Sequence, residues 1–481
     1  MGKLNFLNRG ILRILLVGLL LGTGVGCQKD LLPPENENAS EAMLKSAKPV
    51  NFMVITKSET LPAGFDAKLA AFGQIVKSMP EIGIVVVQPT TSNFESKVAK
   101  LLEVKAVVPD LKAKWIEPIK FINEANPPSI GDDEELFWLQ WGMDAINAPE
   151  AWNAGFTGEK ARVFILDSGI DADNPDLEPN LNTSLCTSFV PGEDYDIADV
   201  DENGDADYFN HGTHVAGIIA AADNSFGVIG VAPKAEIVAV KVLSEYDGSG
   251  DFSWINAGIV YAANNGAQVI NMSLGGTFNR NGFYYDENDV LQKVPAVYLQ
   301  SLILAQQRAV NYAFRKGAVI VVSAGNGGSN FDGNASIFKL PAELQNVIAV
   351  SATAPNSWYR DLLNGVPDPI LDIPSSYTDF GKSLVAIAAP GGDFDSEDDY
   401  WFLDMVISTC PGPSYFFAAG TSMAAPHVAG VAALIIAKNG GKMSPQEVTK
   451  QLLKTADKID GNGTSSFFGK GRVSAYRAVT E

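Results

Sequence analysis

The chain has 481 residues and a formal charge of −21, which excludes the basic footprint of a nucleic-acid-binding protein. At roughly 100–200 residues per domain the length allows two or three domains and at least one large core. Hydrophobic content is ordinary for a globular protein at 46%, no tract is of low complexity, and the acidity favours solubility and divalent-cation binding without bearing on the fold.

Lys3 and Arg9 precede an apolar run from Ile11 to Leu21 that is interrupted at Arg13. The run is too short for a comfortable transmembrane helix and has the shape of a signal peptide's apolar region. It ends at Gly24-Val25-Gly26-Cys27. Small residues before a cysteine at this place resemble a bacterial lipoprotein signal, with Gly24 where that signal usually carries Leu. The resemblance implies cleavage before Cys27, a lipid on Cys27, and an extracytoplasmic protein held at the cell envelope. Plain secretion and an uncleaved signal anchor are the alternatives. No other stretch is expected to meet a membrane.

Residues 28–48, with Pro33-Pro34 among Glu, Asn and Ser, read as a flexible tether. Residues 49–120 read as the first folded unit, a small α/β sandwich. Strands are expected over Val50–Thr56 and Ile82–Val87, helices over Phe65–Met79 and Phe94–Val104, and a last strand opens at Val107-Val108. Residues 121–136, rich in Asn, Pro, Gly, Asp and Glu, read as a linker and a maturation site. Residues 137–481 read as one large α/β domain. Strands Ala161–Leu166, Ala235–Val242, Val269–Leu274 and Ala318–Ser323 alternate with helices Thr213–Ala222, Trp254–Asn265 and Leu302–Lys316. That alternation implies a mainly parallel sheet covered on both faces, with ligands bound beyond the carboxyl ends of its strands.

Three motifs stand at such ends. Asp167 follows the apolar run Val163–Leu166; His211 opens His211-Gly212-Thr213-His214; Ser422 lies in Gly420-Thr421-Ser422-Met423-Ala424-Ala425-Pro426-His427 ahead of an apolar helix. Each has a plainer reading when taken alone: a turn-capping carboxylate, a structural histidine, a serine N-cap. Together they supply what nucleophilic catalysis requires. A serine hydroxyl attacks well only when a base takes its proton, and a third group must hold that base in one tautomer. The chain order Asp, His, Ser differs from the Ser, Asp, His order of α/β-hydrolases, and Ser422 is not in their GxSxG elbow.

The segments Asp167–Asp171, His211–Gly217 and Gly420–His427 resemble the three signature blocks of the subtilases, and the resemblance covers nearly all of 137–481. It implies a subtilisin-like three-layer domain and serine endopeptidase activity. Asp167 would be the orienter, His211 the general acid/base, Ser422 the nucleophile and His214 a structural neighbour. Asn326, in Ser323-Ala324-Gly325-Asn326-Gly327 after an apolar strand, would donate to the oxyanion with the Ser422 N–H; alone it also reads as an Asn-Gly turn. Gly248, Ser249 and Gly250 on one side, and Ser273, Leu274 and Gly275 on the other, would flank a peptide substrate bound as an added strand. Ser323, Ala324 and Gly325 would also bind the substrate, and the likeness of Leu340-Pro341-Ala342 to the family's pocket segment would place Lys339 near the base of the primary specificity pocket, where small residues are usual. Lys339 would there attract an acidic or small polar side chain, unless it points into solvent.

The same resemblance makes residues 49–120 an inhibitory propeptide of ferredoxin-like fold, acting on its own protease domain. It also implies a structural calcium ion on a loop that interrupts the helix after His211. Its ligands would be the side chains of Asp176 and Asn224 and the carbonyls of Ala222, Phe226 and Val228; the family's N-terminal ligand has no clear counterpart near Phe137. The segment Asp199–Asp205 has the spacing of half an EF-hand loop. Asn210 stands where the closing Glu belongs, and a solvated acidic rim is the stronger reading. Polypeptides are the expected substrates of a monomer. A dedicated processing protease for an exported precursor and a catalytically silent binding protein are the alternatives. Whether Cys186 and Cys410 bridge, and where the 277–300 insertion packs, the sequence leaves open.

Overall fold

The computed structural model describes residues 51–116, 134–198, 208–288, 290–366, 369–395, 399–461 and 463–481, and the backbone of 120–124. Cys27, the tether, most of the 121–136 segment and Asp199–Asp205 lie outside them.

Strand Phe52–Thr56 pairs antiparallel with both Ile84–Pro89 and Val104–Pro109, and Gly73–Met79 adds to the far edge of Ile84–Pro89. With helices Phe65–Leu69 and Phe94–Val98 the order is βαββαβ, the ferredoxin-like arrangement. Alternation along the strands sets two faces. Val54, Val85, Val87 and Val107 meet Phe65, Leu69, Phe94 and Val98 of the helices. Met53, Ile55, Ile84, Val86 and Val108 face the larger domain.

The two helices are shorter than the sequence suggests. The helical spacing over Phe65–Met79 holds only to Leu69; 73–79 is an edge strand, with a bulge between Ile75 and Lys77, and Val76 is 50% exposed. An inserted residue shifts strand alternation by one and so imitates a helical period. The second helix ends at Val98, Leu102 is 84% exposed, and Val104 already pairs with Thr56.

The large domain is built on an eight-stranded sheet. Its order is Ile373–Pro374, Ile348–Ala354, Val319–Ser323, Val269–Met272, Arg162–Asp167, Glu236–Lys241 and Thr187–Ser188, with Ile387–Pro390 also on Ile348–Ala354. All pairings are parallel except that of Ile373–Pro374. Each central strand buries both faces. Val163 and Ile165 join helices His211–Ala220 and Thr421–Lys438 on one side. Phe164 and Leu166 join helices Phe252–Asn264 and Ala296–Lys316 on the other. This is the three-layer arrangement expected, and it brings Asp167 and Ser323 to the carboxyl ends of the two strands that flank Val269–Met272.

The small unit sits on the second helix layer. Arg308 of Ala296–Lys316 donates to the carbonyls of Thr56 (3.2 Å), Ser58 (3.3 Å) and Ile82 (3.3 Å). From that unit the chain runs on as strand Lys112–Lys114, paired antiparallel with Ser249–Asp251. Residues Lys120–Glu124, which fall mostly within the expected linker, form a strand on Tyr415–Ala419, immediately ahead of the Ser422 motif. The 277–300 insertion supplies strand Gly276–Asn279 against Ile337–Leu340 and the hairpin Phe283–Tyr285/Leu291–Lys293. Cys186 and Cys410 form no disulfide.

Candidate active site

Asp167 closes its strand with 1% of its surface exposed. Its Oδ1 accepts the Ser168 N–H at 2.8 Å and faces His211 Nδ1 at 2.7 Å. His211 is the first residue of its helix, and the cap is Asn210, whose Oδ1 accepts the Thr213 N–H at 2.8 Å. A carboxylate on Nδ1 keeps the proton there and leaves Nε2 as the basic nitrogen. His211 Nε2 is buried and has no hydrogen-bond partner among the described residues.

The other two histidines are unsuited to that work. His214 Nε2 faces the Phe416 carbonyl at 2.9 Å and His427 Nδ1 that of Met423 at 2.8 Å. Burial lowers their pKa values to about 3 and about 4. Both are held neutral by the core, so His214 is a neighbour of the site and not its base.

Ser422 lies in the first turn of helix Thr421–Lys438, where backbone N–H groups lack intrahelical acceptors. Its Oγ donates to the Ser273 carbonyl at 3.1 Å, while Ser273 Oγ donates to the Ser422 carbonyl at 2.7 Å. The hydroxyl therefore rests on one of the expected substrate edges. Asn326 Oδ1 accepts from Thr421 N (2.9 Å) and Thr421 Oγ1 (2.8 Å). Because an N–H only donates, those bonds fix which end of the amide is oxygen and leave Nδ2 as the donor end. Thr421 Oγ1 also accepts the Gly325 N–H at 3.0 Å. Thr421 thus ties the Asn326 loop to the Ser422 helix, a role the sequence reading missed, although the residue adjoins Ser422.

The expected substrate edges hold a strand of this chain. Lys114 lies opposite Ser249 and Ala113 opposite Gly250. The Trp115 N–H donates to the Gly248 carbonyl at 3.3 Å, and the Gly275 N–H donates to the Trp115 carbonyl at 2.7 Å. Trp115 is fully buried, packed edge-on against Phe252 at 4.8 Å and near Phe278 at 5.8 Å, with Nε1 donating to the Gly250 carbonyl at 2.7 Å. A Cβ on Gly250 would lie 2.6 Å from the Val242 carbonyl, so a side chain there would spoil this edge. Ser323 and Ala324 are buried at the end of their strand, next to Gly325. Ser323 Oγ donates to the Leu274 carbonyl at 3.3 Å, which joins the two walls.

Lys339 does not point into solvent. It is fully buried, and its Nζ donates to Thr277 Oγ1 at 3.0 Å and pairs with Asp379 Oδ2 at 3.2 Å. Thr277 and Lys339 are partners in the Gly276–Asn279/Ile337–Leu340 ladder, which puts their side chains on one face. Asp379 and Thr277 went unnoticed in the sequence because neither lies in a motif.

At the expected calcium loop, Asp176 is fully buried. Its Oδ2 accepts from the Val228 N–H (3.0 Å) and Tyr415 Oη (2.9 Å), and its Oδ1 accepts from Asn224 Nδ2 (3.1 Å). Burial first and the charge of Glu135 last among its influences raise the Asp176 pKa; its hydrogen bonds oppose the rise, and the result is about 6. The Leu136 N–H donates to the Gly227 carbonyl at 2.8 Å. That contact brings the 134–136 segment against the loop, close enough for the charge of Glu135 to act on Asp176. Among the described residues no three acidic, His or Cys side chains converge. A cation here would rely on carbonyl and amide oxygens, which suits calcium and not a transition metal. Asn224 presently shows Asp176 its nitrogen, so its amide would have to turn. The other acidic candidate, Asp199–Asp205, is outside the described residues.

A buried carboxylate–imidazole pair, a serine at a helix N-terminus and an anchored amide beside it, all at the carboxyl ends of a parallel sheet, define a serine hydrolase of the triad class. A family model described as "Subtilase family" matches residues 158–471. Thermitase of Thermoactinomyces vulgaris is 37% identical over 342 residues, covering 71% of this chain and 95% of that protein. A thermophilic serine proteinase of Bacillus sp. (strain AK1) is 34% identical over 411 residues, covering 84% and 83%. Among solved structures, the epidermin leader peptide processing serine protease of Staphylococcus aureus superposes with a TM-score of 0.69 at 23% identity, covering 90% of this chain and 98% of that one. The chain belongs to the subtilase family and is a serine endopeptidase.

Proposed function

We propose that Ser422 carries the acyl-enzyme, with His211 as base and Asp167 as its orienter. The observation that carries this assignment is the 2.7 Å contact of His211 Nδ1 with Asp167, which leaves Nε2 buried and basic. A substrate N–H arriving at the Ser273 carbonyl competes for the acceptor that Ser422 Oγ now uses, releasing the hydroxyl to turn toward Nε2. Oγ then attacks the scissile carbonyl carbon as its proton passes to Nε2. The oxyanion is met by Asn326 Nδ2 and the Ser422 N–H. Collapse breaks the C–N bond, the imidazolium gives its proton to the leaving amine, and water repeats the sequence on the acyl-enzyme. The matured protein should cleave a quenched-fluorescence peptide library, and a serine-directed sulfonyl fluoride should abolish the cleavage; activity that survives the reagent would refute the assignment. Replacing Asn326 by Leu should lower kcat by about 10²–10³-fold with KM little changed, because the lost donor acts only on the transition state.

In our reading, residues 49–120 inhibit the protease before maturation, a role supported by the Lys112–Trp115 segment lying along the substrate edges. A lipid on Cys27 would hold the protein at the outside of the cytoplasmic membrane or in the envelope.

The Asp176 loop is proposed to take calcium, through the Asp176 carboxylate, the Asn224 amide oxygen and the carbonyls of Ala222, Phe226 and Val228. When bound, the ion supplies a positive charge that offsets the buried carboxylate. Asp176 has a raised pKa in the folded state. Without calcium its contribution to stability is present below about pH 4 and is lost as pH rises toward about 6. Calcium should therefore raise Tm by several degrees at pH 8 and by much less at pH 5, and Asp176→Asn should abolish the difference. An equal shift at both pH values in a differential scanning experiment would count against the site.

A further inference from the structure

Lys339 spans the pocket between the two substrate walls. A Cβ on Gly325 would lie 2.2 Å from Lys339 Nζ, and one on Gly275 3.4 Å from its Cε. The end of the side chain thus lies hard against the wall that carries Gly325, with its Cε also in contact range of the wall that carries Gly275. Thr277 and Asp379 hold it there. Asp379 is set differently. Its Oδ1 accepts the Ser329 N–H at 2.8 Å, and its own N–H donates to the Gly325 carbonyl at 2.8 Å. It is held on the Gly325–Ser329 loop and pairs with the ammonium there, its Oδ2 2.3 Å from where a Gly325 Cβ would lie. The backbone N–H of Lys339 is separately tied to Glu343 Oε2 at 2.6 Å, so the backbone below the ammonium is fixed.

We propose that Lys339 makes this enzyme cleave after acidic residues, glutamate above all; the proposal rests on the protease assignment above. A fully buried cation cannot be covered by an apolar side chain without loss of solvation, whereas a carboxylate entering the pocket supplies a charge-assisted hydrogen bond. Glutamine has the same shape without the charge. The difference between the two should be about 10- to 100-fold in kcat/KM, the size of a hydrogen bond to a charged group. A basic side chain would meet the ammonium directly. In sequence, the segment that lies along the substrate edges continues from Trp115 to Ile116-Glu117.

The test is kcat/KM of the matured enzyme on matched peptides that differ only in the residue before the cut: Glu, Gln, Phe, Leu and Arg. Wild type should favour Glu over Gln by at least tenfold. In Lys339→Met/Asp379→Asn, which removes both charges so that neither is stranded in the core, Glu should lose that advantage and Phe or Leu should overtake it. Equal use of Glu and Gln by wild type, a preference for Arg, or an acidic preference that survives the double substitution would each overturn the proposal. Fluorophosphonate labelling of Ser422 in the same samples separates the two levels. Labelling without acidic preference removes this inference and leaves the protease assignment standing. No labelling and no cleavage remove the assignment on which it rests.

Discussion

Ser422→Ala will reduce kcat/KM by about 10⁶-fold, the loss seen when a subtilisin is deprived of its nucleophile or base. Its fold should survive. Ser422 is buried and the substitution removes one hydroxyl, stranding only the Ser273 carbonyl, a cost of about 1–2 kcal/mol. Activity should not fall to the uncatalysed rate. Asn326, the first-turn N–H groups and the substrate edges remain, and such features retain roughly 10³–10⁴-fold over water. The variant should also accumulate as the uncut precursor, because the group that would cut it is gone. A precursor that still matures, or a loss below about 10³-fold in steady-state kinetics, would place the nucleophile elsewhere.

Asp167→Asn will lower kcat by about 10⁴-fold and leave KM nearly unaltered. The amide is isosteric, so the strand end keeps its shape, although Oδ1 both faces Nδ1 and accepts the Ser168 N–H, and an amide turned with its nitrogen to the ring also costs that N–H its acceptor. What changes is the tautomer. An amide that turns its nitrogen toward His211 Nδ1 forces the ring proton to Nε2, where it blocks removal of the Ser422 proton. Part of the activity should return at high pH, where the wrong tautomer can be bypassed by deprotonation. Combined with Ser422→Ala the substitution should cost almost nothing more, because the two residues act as one unit. Additive losses would show that Asp167 and Ser422 work separately.

The positions proposed as catalytic were legible in the sequence because the chemistry compresses them into short segments. Asp167, His211 and Ser422 each sit where an apolar run meets a turn or helix start, and local pattern reveals such junctions. The three-layer arrangement was legible for the same reason, since Val163, Phe164, Ile165 and Leu166 are all apolar and bury both faces of the sheet. Long-range partners were not. Lys339 was singled out, but its burial depends on Asp379 and on Thr277, which reaches it through a strand pairing. The charge of Glu135 reaches Asp176 because Leu136 docks on Gly227. The first helix of residues 49–120 was overextended because a bulge at Ile75–Lys77 imitates a helical repeat, and only the pairing with Ile84–Pro89 reveals a strand there.

The Lys112–Trp115 segment is a guide to how the proposed site would read a substrate. Lys112–Lys114 bond to Ser249–Asp251 through backbone, while Trp115 fills an apolar pocket between Phe252 and Phe278. Main-chain pairing gives affinity with little sequence preference. Discrimination is therefore left to the pockets, and the Lys339 pocket is the one that carries a buried charge.

The most direct test is to find which atom becomes acylated. The matured protein would be treated with a fluorophosphonate and digested, and the adduct mapped by peptide mass spectrometry. A single adduct on Ser422 is predicted, absent in Ser422→Ala and strongly slowed in His211→Ala. An adduct on another residue, or labelling of Ser422 at an undiminished rate without His211, would contradict the triad.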